Sequence, residues 1–333
     1  KKPRFHSNHT VCQLHAKILT FMRRIIYLFL VAVLATGCKD NINIGNDDIK
    51  PKLVVYCFPT VSDSTIINVS KSMPVQIKDN SRTLEYVDDA VITYTVNGNA
   101  CEVTPLGNGR YTVKAQQTHG DHIAISVAAP EMTVVSAKTN IPAAIDIGMT
   151  TANDVRLYNS QDDKYENFTQ YSATFTDPAN ERNFYATRVR MKVKDKHHEH
   201  HWRGGNHYTD DYYYPAINTQ SEELLRPPTN IDELFDISNT FYGGLYIFDD
   251  STISGKTYTL HLNVEEYNVI QWDKEHKGEV ELMQLTPEFY HFLFALNAQD
   301  NEILSGTGLS QTTPTSSNVR GGLGIVAGYS NGR

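Results

Sequence analysis

The chain is poor in cysteine, with four in 333 residues, and poor in long apolar runs. So few cysteines over this length do not make a disulfide scaffold. The longest apolar run, Ile25 to Ala35, holds about eleven residues, whereas a helix that crosses a bilayer needs about 20. It is too short to span. There is no P-loop and no G-x-G-x-x-G ahead of a helix, so the motif-bearing nucleotide-binding classes are not indicated. No nucleophile motif is expected either. His198-Glu199 is followed at the fifth position by Trp202, which leaves the zincin pattern H-E-x-x-H without its second histidine.

What is present begins with Met22-Arg23-Arg24, a positive flank ahead of a run with the length of a signal-peptide h-region. Met22 is then the expected start, and residues 1–21, with Cys12, are upstream sequence outside the fold. The run ends in Leu34-Ala35-Thr36-Gly37-Cys38, which resembles the lipobox of bacterial lipoproteins, with the leucine four rather than three residues before the cysteine. That resemblance implies cleavage before Cys38 and acylation of its side chain. Two or more acyl chains hold a protein stably on a membrane where one does so marginally. The alternative is an ordinary cleaved secretory signal. Residues 1–37 are thus read as upstream sequence and signal peptide, and 38–51 as a polar lipidated tether.

Removing the leader takes away Lys1, Lys2, Arg4, Lys17, Arg23 and Arg24 and no acid, leaving 24 of 30 basic side chains against 38 acidic ones, a net charge of about −14. Such a surface repels phosphate backbones, so no nucleic-acid partner is expected. Cys57 and Cys101 are the only other cysteines of the mature chain. Both lie in strand-like runs, and unbridged packing as small hydrophobes is favoured over a single disulfide.

The fold class is mainly β. "KLVVYCF", "STIINVSKS", "DAVITYTVNG", "ACEVTPL", "RYTVKAQ", "HIAISVAA" and "TVVSAKTNIP" are β-branched or aromatic runs separated by turns such as Asn97-Gly98. Short strands at this spacing predict an Ig-like or transthyretin-like β-sandwich over 52–145. Residues 146–170 carry fewer strand signals and are expected to link it to a second β-rich domain, 171–333, also sandwich-like. There, Val189, Met191 and Val193 alternate with Arg188, Arg190, Lys192 and Lys194, the period of a half-buried strand with a basic outer face. One long helix is expected near the C-terminus, with Thr286 as N-cap, Pro287 at its first position and Glu288 in its first turn. Phe289, Leu293 and Leu296 form its apolar stripe, which should cover an open sheet face.

"DKHHEHHWRGGNHYTDDYYYP", residues 195–215, holds His197, His198, His200, His201 and His207. On an extended backbone His197, Glu199 and His201 share a side, a donor set that suits zinc, copper or nickel. The competing reading is a solvated hairpin tip. Trp202, Tyr208, Tyr212, Tyr213 and Tyr214 are candidate contact residues for a ligand or partner, because tyrosine offers a large amphipathic face at low entropic cost. Buried packing is the equal alternative. The acidic pairs Asp88-Asp89, Asp162-Asp163, Asp249-Asp250 and Glu265-Glu266 have the residue types of glycosidase acid–base pairs, but solvated turns explain them better. In "NVRGGLGIVAGYS" the glycines Gly321, Gly322, Gly324 and Gly328 weaken a strand unless another backbone comes close or a bulge is required, with a ligand loop as the competing reading. A closing strand of the second sandwich is expected.

"PKLVVYCFPTVSDSTIINVSKSMPV", "VDDAVITYTVNG", "VVSAKTNIP", "FTDPANERNFY", "LTPEFYHFLFAL" and "SSNVRGGLGIVAGYS" occur in that order behind the lipobox. Together they resemble the Bacteroidota lipoprotein family of domain of unknown function 4249, from about Pro51 to Tyr329. Lys39-Asp40 similarly resembles the short charged signal that sends such lipoproteins to the cell surface. The resemblance implies a lipid-anchored outer-membrane protein, facing outward, that assists a TonB-dependent transporter in nutrient uptake and has no catalytic residues to carry over. Two other functions remain open: metal or haem capture by His197 to His207, and a tethered hydrolase.

Overall fold

The structure is a computed structural model and describes residues 50–72, 85–159, 163–192, 207–208, 212–225, 244–265, 278–300 and 316–333. Seventeen strands and one α-helix are assigned in these segments. All seven strand runs read in the first half are realised: β1 (Leu53–Cys57), β2 (Ser62–Lys71), β3 (Val91–Val96), β4 (Asn99–Gly107), β5 (Arg110–Gln117), β6 (His122–Ala128) and β7 (Val135–Asn140). Asn97 and Gly98 between β3 and β4 have φ of 52° and 83°, the left-handed pair that a tight hairpin turn requires.

These strands join β16 (Leu323–Val326) in one hydrogen-bonded order, β16-β1-β2-β5-β4-β3-β6-β7. Leu53, Val55, Cys57, Ile67, Val69, Val113, Ile123, Ile125 and Val127 alternate with outward residues and fill a common core, the signature of strands with one buried face. Strand β16 runs parallel to β1, pairing Tyr56 with Ile325. On the opposite side Arg320 exchanges both backbone hydrogen bonds with Ser136 of β7, at 2.8 and 3.1 Å. The segment 318–329 therefore lies in the seam between the first and last strands of the sandwich and closes it.

This corrects the expectation that the glycine-rich strand closes the second sandwich. The reason for glycine was read correctly. A Cβ on Gly324, whose φ is +100°, would stand 2.1 Å from the carbonyl oxygen of Val55, and one on Gly328 would stand 1.9 Å from that of Asn140. Two backbones come together there with no room for a side chain. Beyond it, β17 (Tyr329–Asn331) enters the second half and pairs with β15 (Glu279–Leu285).

Residues 146–170, expected to form a linker, instead contain β8 (Gly148–Asn159) and the first half of β9 (Lys164–Thr176). With β14 (Thr257–Glu265) they make a three-stranded sheet, β14-β9-β8. Much of β8 is exposed, so its sequence lacks the apolar alternation by which a strand is recognised. Facing it is the sheet β11-β12-β10-β15-β17, built from β11 (His207–Tyr208), β12 (Tyr212–Tyr214), β10 (Phe184–Lys192), β15 and β17, with β13 (Tyr246–Asp249) also on β10. Tyr171, Ala173 and Phe175 of β9 and Leu260, Leu262 and Val264 of β14 pack against Tyr185, Val189 and Met191 of β10 and Val280 and Leu282 of β15. Residues 50–333 form one compact unit, in which Ile141 belongs to the first core and Ile145 to the second.

Helix α1 (Pro287–Asp300) covers a sheet face as expected. Leu293 joins Phe184, Ala186, Met283 and Leu285 on the outer side of β10 and β15, while Phe292 and Leu296 reach Tyr56, Phe58 and Ile325 of the first sheet. Phe289 stacks on Phe58 at 4.9 Å between centroids. One helix thus holds both halves. The expected side-chain cap is absent: the carbonyl of Thr286 accepts from Phe289 and Tyr290, but its hydroxyl is buried without a hydrogen-bond partner. Backbone bonding alone starts this helix.

Candidate functional site

The basic stripe on β10 and the tyrosines of β12 meet on the outer face of the second sheet. Arg190 bonds Glu279 at 2.6 Å and Glu281 at 2.7 Å, and Arg188 bonds Glu281. The Arg188 guanidinium lies 4.0 Å over the Tyr214 ring, and that of Arg190 lies 4.7 Å over Tyr212. Each such stacking contributes about 0.5–2 kcal/mol, more where water is excluded. Half the predicted basic face is therefore neutralised by carboxylates of β15 and roofed by aromatics. The sequence reading missed Glu279 and Glu281, although "GEVELMQL" alternates acids with apolar residues and so announced an acidic face.

The aromatic candidates separate by burial. Tyr213 is fully buried beside Met191 in the second core, and Tyr214 is buried beneath Arg188. A contact role for these two is corrected to packing, because the alternation of β12 turns Tyr213 inward and the arginine stripe covers Tyr214. Tyr212 is half-buried. The backbones of His207 and Tyr208 form β11, in register with Tyr214 and Tyr213. His197, His198, His200, His201 and Trp202 lie outside the described residues. Among the described residues no group of three His, Cys, Asp or Glu side chains is arranged to hold a metal ion.

The cysteines of the first sandwich are both free thiols, Cys57 buried and Cys101 half-buried. Of the acidic pairs, several members hold structure. Asp88 accepts from the backbone N–H of Gly109 at 2.6 Å, Asp163 from the Tyr158 hydroxyl at 2.5 Å, and Asp250 from the backbone N–H of Asn183 at 2.9 Å. Asp249 pairs with Arg182. Burial works to raise the Asp249 carboxyl, but hydrogen bonds from Ser251 and Arg182 outweigh it and hold the group below the usual carboxylate range.

Two arrangements carry nucleophile-like residue types. Gly328-Tyr329-Ser330-Asn331-Gly332 has the G-x-S-x-G spacing, an exception to the absence of nucleophile motifs expected above. In an active elbow the serine stands on a sharp strand-to-helix turn. Ser330 instead lies in β17, is 1 % exposed, and donates to the carbonyl of Ala143 at 2.6 Å. Ser172 Oγ lies 3.0 Å from His261 Nδ1 across β9 and β14. The adjacent carboxylate, Glu222, accepts from the His261 backbone N–H at 2.7 Å and the Tyr258 hydroxyl at 2.6 Å rather than from the imidazole. The pair is one rung of a polar ladder that continues through Gln170–Asn263 and Thr174–Thr259. Neither has the geometry of a catalytic triad.

A cavity of about 680 Å³ opens on the first sandwich. Its floor is the outer face of β3, β6 and β7, where Thr93, Ser126 and Ser136 are too small to fill the space. Its walls include Lys138 of β7, Arg320 of the returning segment and Glu288 of helix α1. Only the tertiary fold unites these three elements.

No curated protein matches the chain in a sequence comparison. The family model described as domain of unknown function (DUF4249) matches residues 39–333, which takes in the two sandwich cores, the bridging helix and the closing strand. By that match the chain belongs to the DUF4249 family.

Proposed function

We propose that the protein is a non-enzymatic lipoprotein, held at the outer membrane through acylated Cys38 and facing the cell surface, that assists a TonB-dependent transporter. The observation that carries this reading is the position of the family match, which starts at residue 39, immediately after the cysteine of the lipobox-like sequence. From Lys39 to Lys52 the chain can reach at most about 50 Å, enough for the β-built body to meet a neighbour embedded in the same membrane. The acidic balance of the mature chain favours a protein or small-molecule partner over nucleic acid. Among the described residues no helix is long and apolar enough to cross a membrane.

The test is purification from detergent-solubilised envelopes with intact-mass analysis. The expected result is a transporter in the same complex and a mass that places acyl groups on residue 38. Release of the Cys38→Ala protein into the soluble fraction is expected as well. A chain that is unacylated, or acylated but always solitary, overturns the reading.

A further inference from the structure

We propose that the cavity between β3, β6, β7, the 317–320 segment and helix α1 binds a small ligand carrying one carboxylate together with hydrogen-bond donors. This deepens the reading above by giving the tethered body a ligand class, and it rests on that reading only for its biological setting. Arg320 pairs with Ser136 through the backbone, and Lys138 lies two residues further along β7. Directly opposed residues project on the same face of a sheet, so the two cations are diagonal neighbours whose Cβ atoms are about 7 Å apart. Neither side chain has an ion-pair or hydrogen-bond partner among the described residues, in contrast to Arg188 and Arg190 on the other sheet. Two cations without an ion-pair partner among the described residues, at one concavity of an acidic protein, attract an anion.

Glu288 on the third wall narrows the class. A phosphate dianion would meet its repulsion, whereas a single carboxylate can take both cations while donor groups elsewhere on the ligand face Glu288. The hydroxyls of Thr93, Ser126 and Ser136 on the floor serve either as donors or as acceptors. Two sources share this chemistry, uronic-acid sugars with their hydroxyls and short peptides with their ammonium and amide groups. Among the described residues the cavity lining includes no aromatic ring for a sugar to stack on.

The experiment is calorimetry on the detergent-purified full chain with a uronic-acid disaccharide and with a tripeptide, each against its carboxamide counterpart. Binding of one acid is expected with a Kd of about 1 mM or tighter. Lys138→Gln and Arg320→Gln should each weaken it at least about tenfold, the scale of one charge-assisted hydrogen bond. The carboxamide should not bind measurably. Which acid binds identifies the source, and Glu288→Gln should weaken its binding because the side chain no longer offers a negative charge to the ligand's donor groups. Both cationic side chains are exposed, so the variants should keep the parent's melting temperature.

Failure of both acids to bind, or equal binding by parent and variants, overturns the assignment. Transporter co-purification scored on the same samples separates the two readings. Association retained without acid binding removes the ligand alone; a parent chain that binds the acid but no transporter removes the accessory role alone.

Discussion

Gly324 and Val55 approach so closely that a single added methyl group would stand 2.1 Å from the Val55 carbonyl oxygen. This contact seals the seam of the first sandwich with residues more than 260 positions away in the chain, at a positive φ that L side chains rarely adopt. Gly324→Ala should therefore destabilise the protein by about 2–4 kcal/mol, from steric displacement of the β1 backbone plus the strained conformation. Chemical unfolding of the full chain checks it. An unchanged midpoint would mean that β16 does not sit against β1.

Arg188 and Glu281 form a shielded pair, with 22 % and 18 % of their side chains exposed. Glu281 also bonds Arg190, so the Arg188→Met variant leaves the carboxylate one partner and should cost only about 1–2 kcal/mol. A double-mutant cycle with Glu281→Gln should return a coupling of about 1 kcal/mol. Zero coupling would remove the arginine–carboxylate ladder from the account of the second sheet.

Asp121 accepts from the backbone N–H of Thr118, and this bond chiefly holds its carboxyl below the ordinary range; burial opposes it, while Asn97 and the Thr118 hydroxyl add to it. A carboxyl whose folded pKa is depressed stabilises the fold above the unfolded pKa, about 3.9, and loses that contribution as pH falls through the folded value. The parent should thus lose stability on acidification below about pH 4 more steeply than Asp121→Asn. Denaturant midpoints measured from pH 6 downward decide this. Parallel curves would show that the link between the Asn97 turn and the Thr118–Asp121 turn does not depend on the ionised carboxylate.

Burial pushes the Cys57 thiol up to about 12, and the thiolate is the reactive form. Peptide mapping after alkylation at pH 8 should find Cys101 labelled and Cys57 protected in the native protein, with both labelled after unfolding. A disulfide-linked peptide containing the two would contradict the free thiols.

Much of the β character was legible because alternation is local. In β5 and β6, Tyr111, Val113, Ile123, Ile125 and Val127 face the core at every second position, a period set by the pleat itself. Strand β8 was not legible, since an exposed strand shows no such period. The fate of the tyrosines turned on which side of β12 meets the second core, and "YYY" carries no alternation to say so. The cavity had no sequence signature at all, as Lys138, Glu288 and Arg320 come from three distant stretches.

By itself the sequence determined the strand runs, the helix with its apolar stripe, the need for glycine near the end of the chain, and an acidic balance behind a lipobox-like stretch of residues. Only the tertiary structure decided that β16 pairs with β1 instead of the second sheet, and that one helix packs against both halves from outside their cores. Pairing partners are a competition among all available strand edges, settled by the total burial each arrangement achieves. Glycine at positions 324 and 328 states that a backbone comes close, and leaves open whose backbone it is.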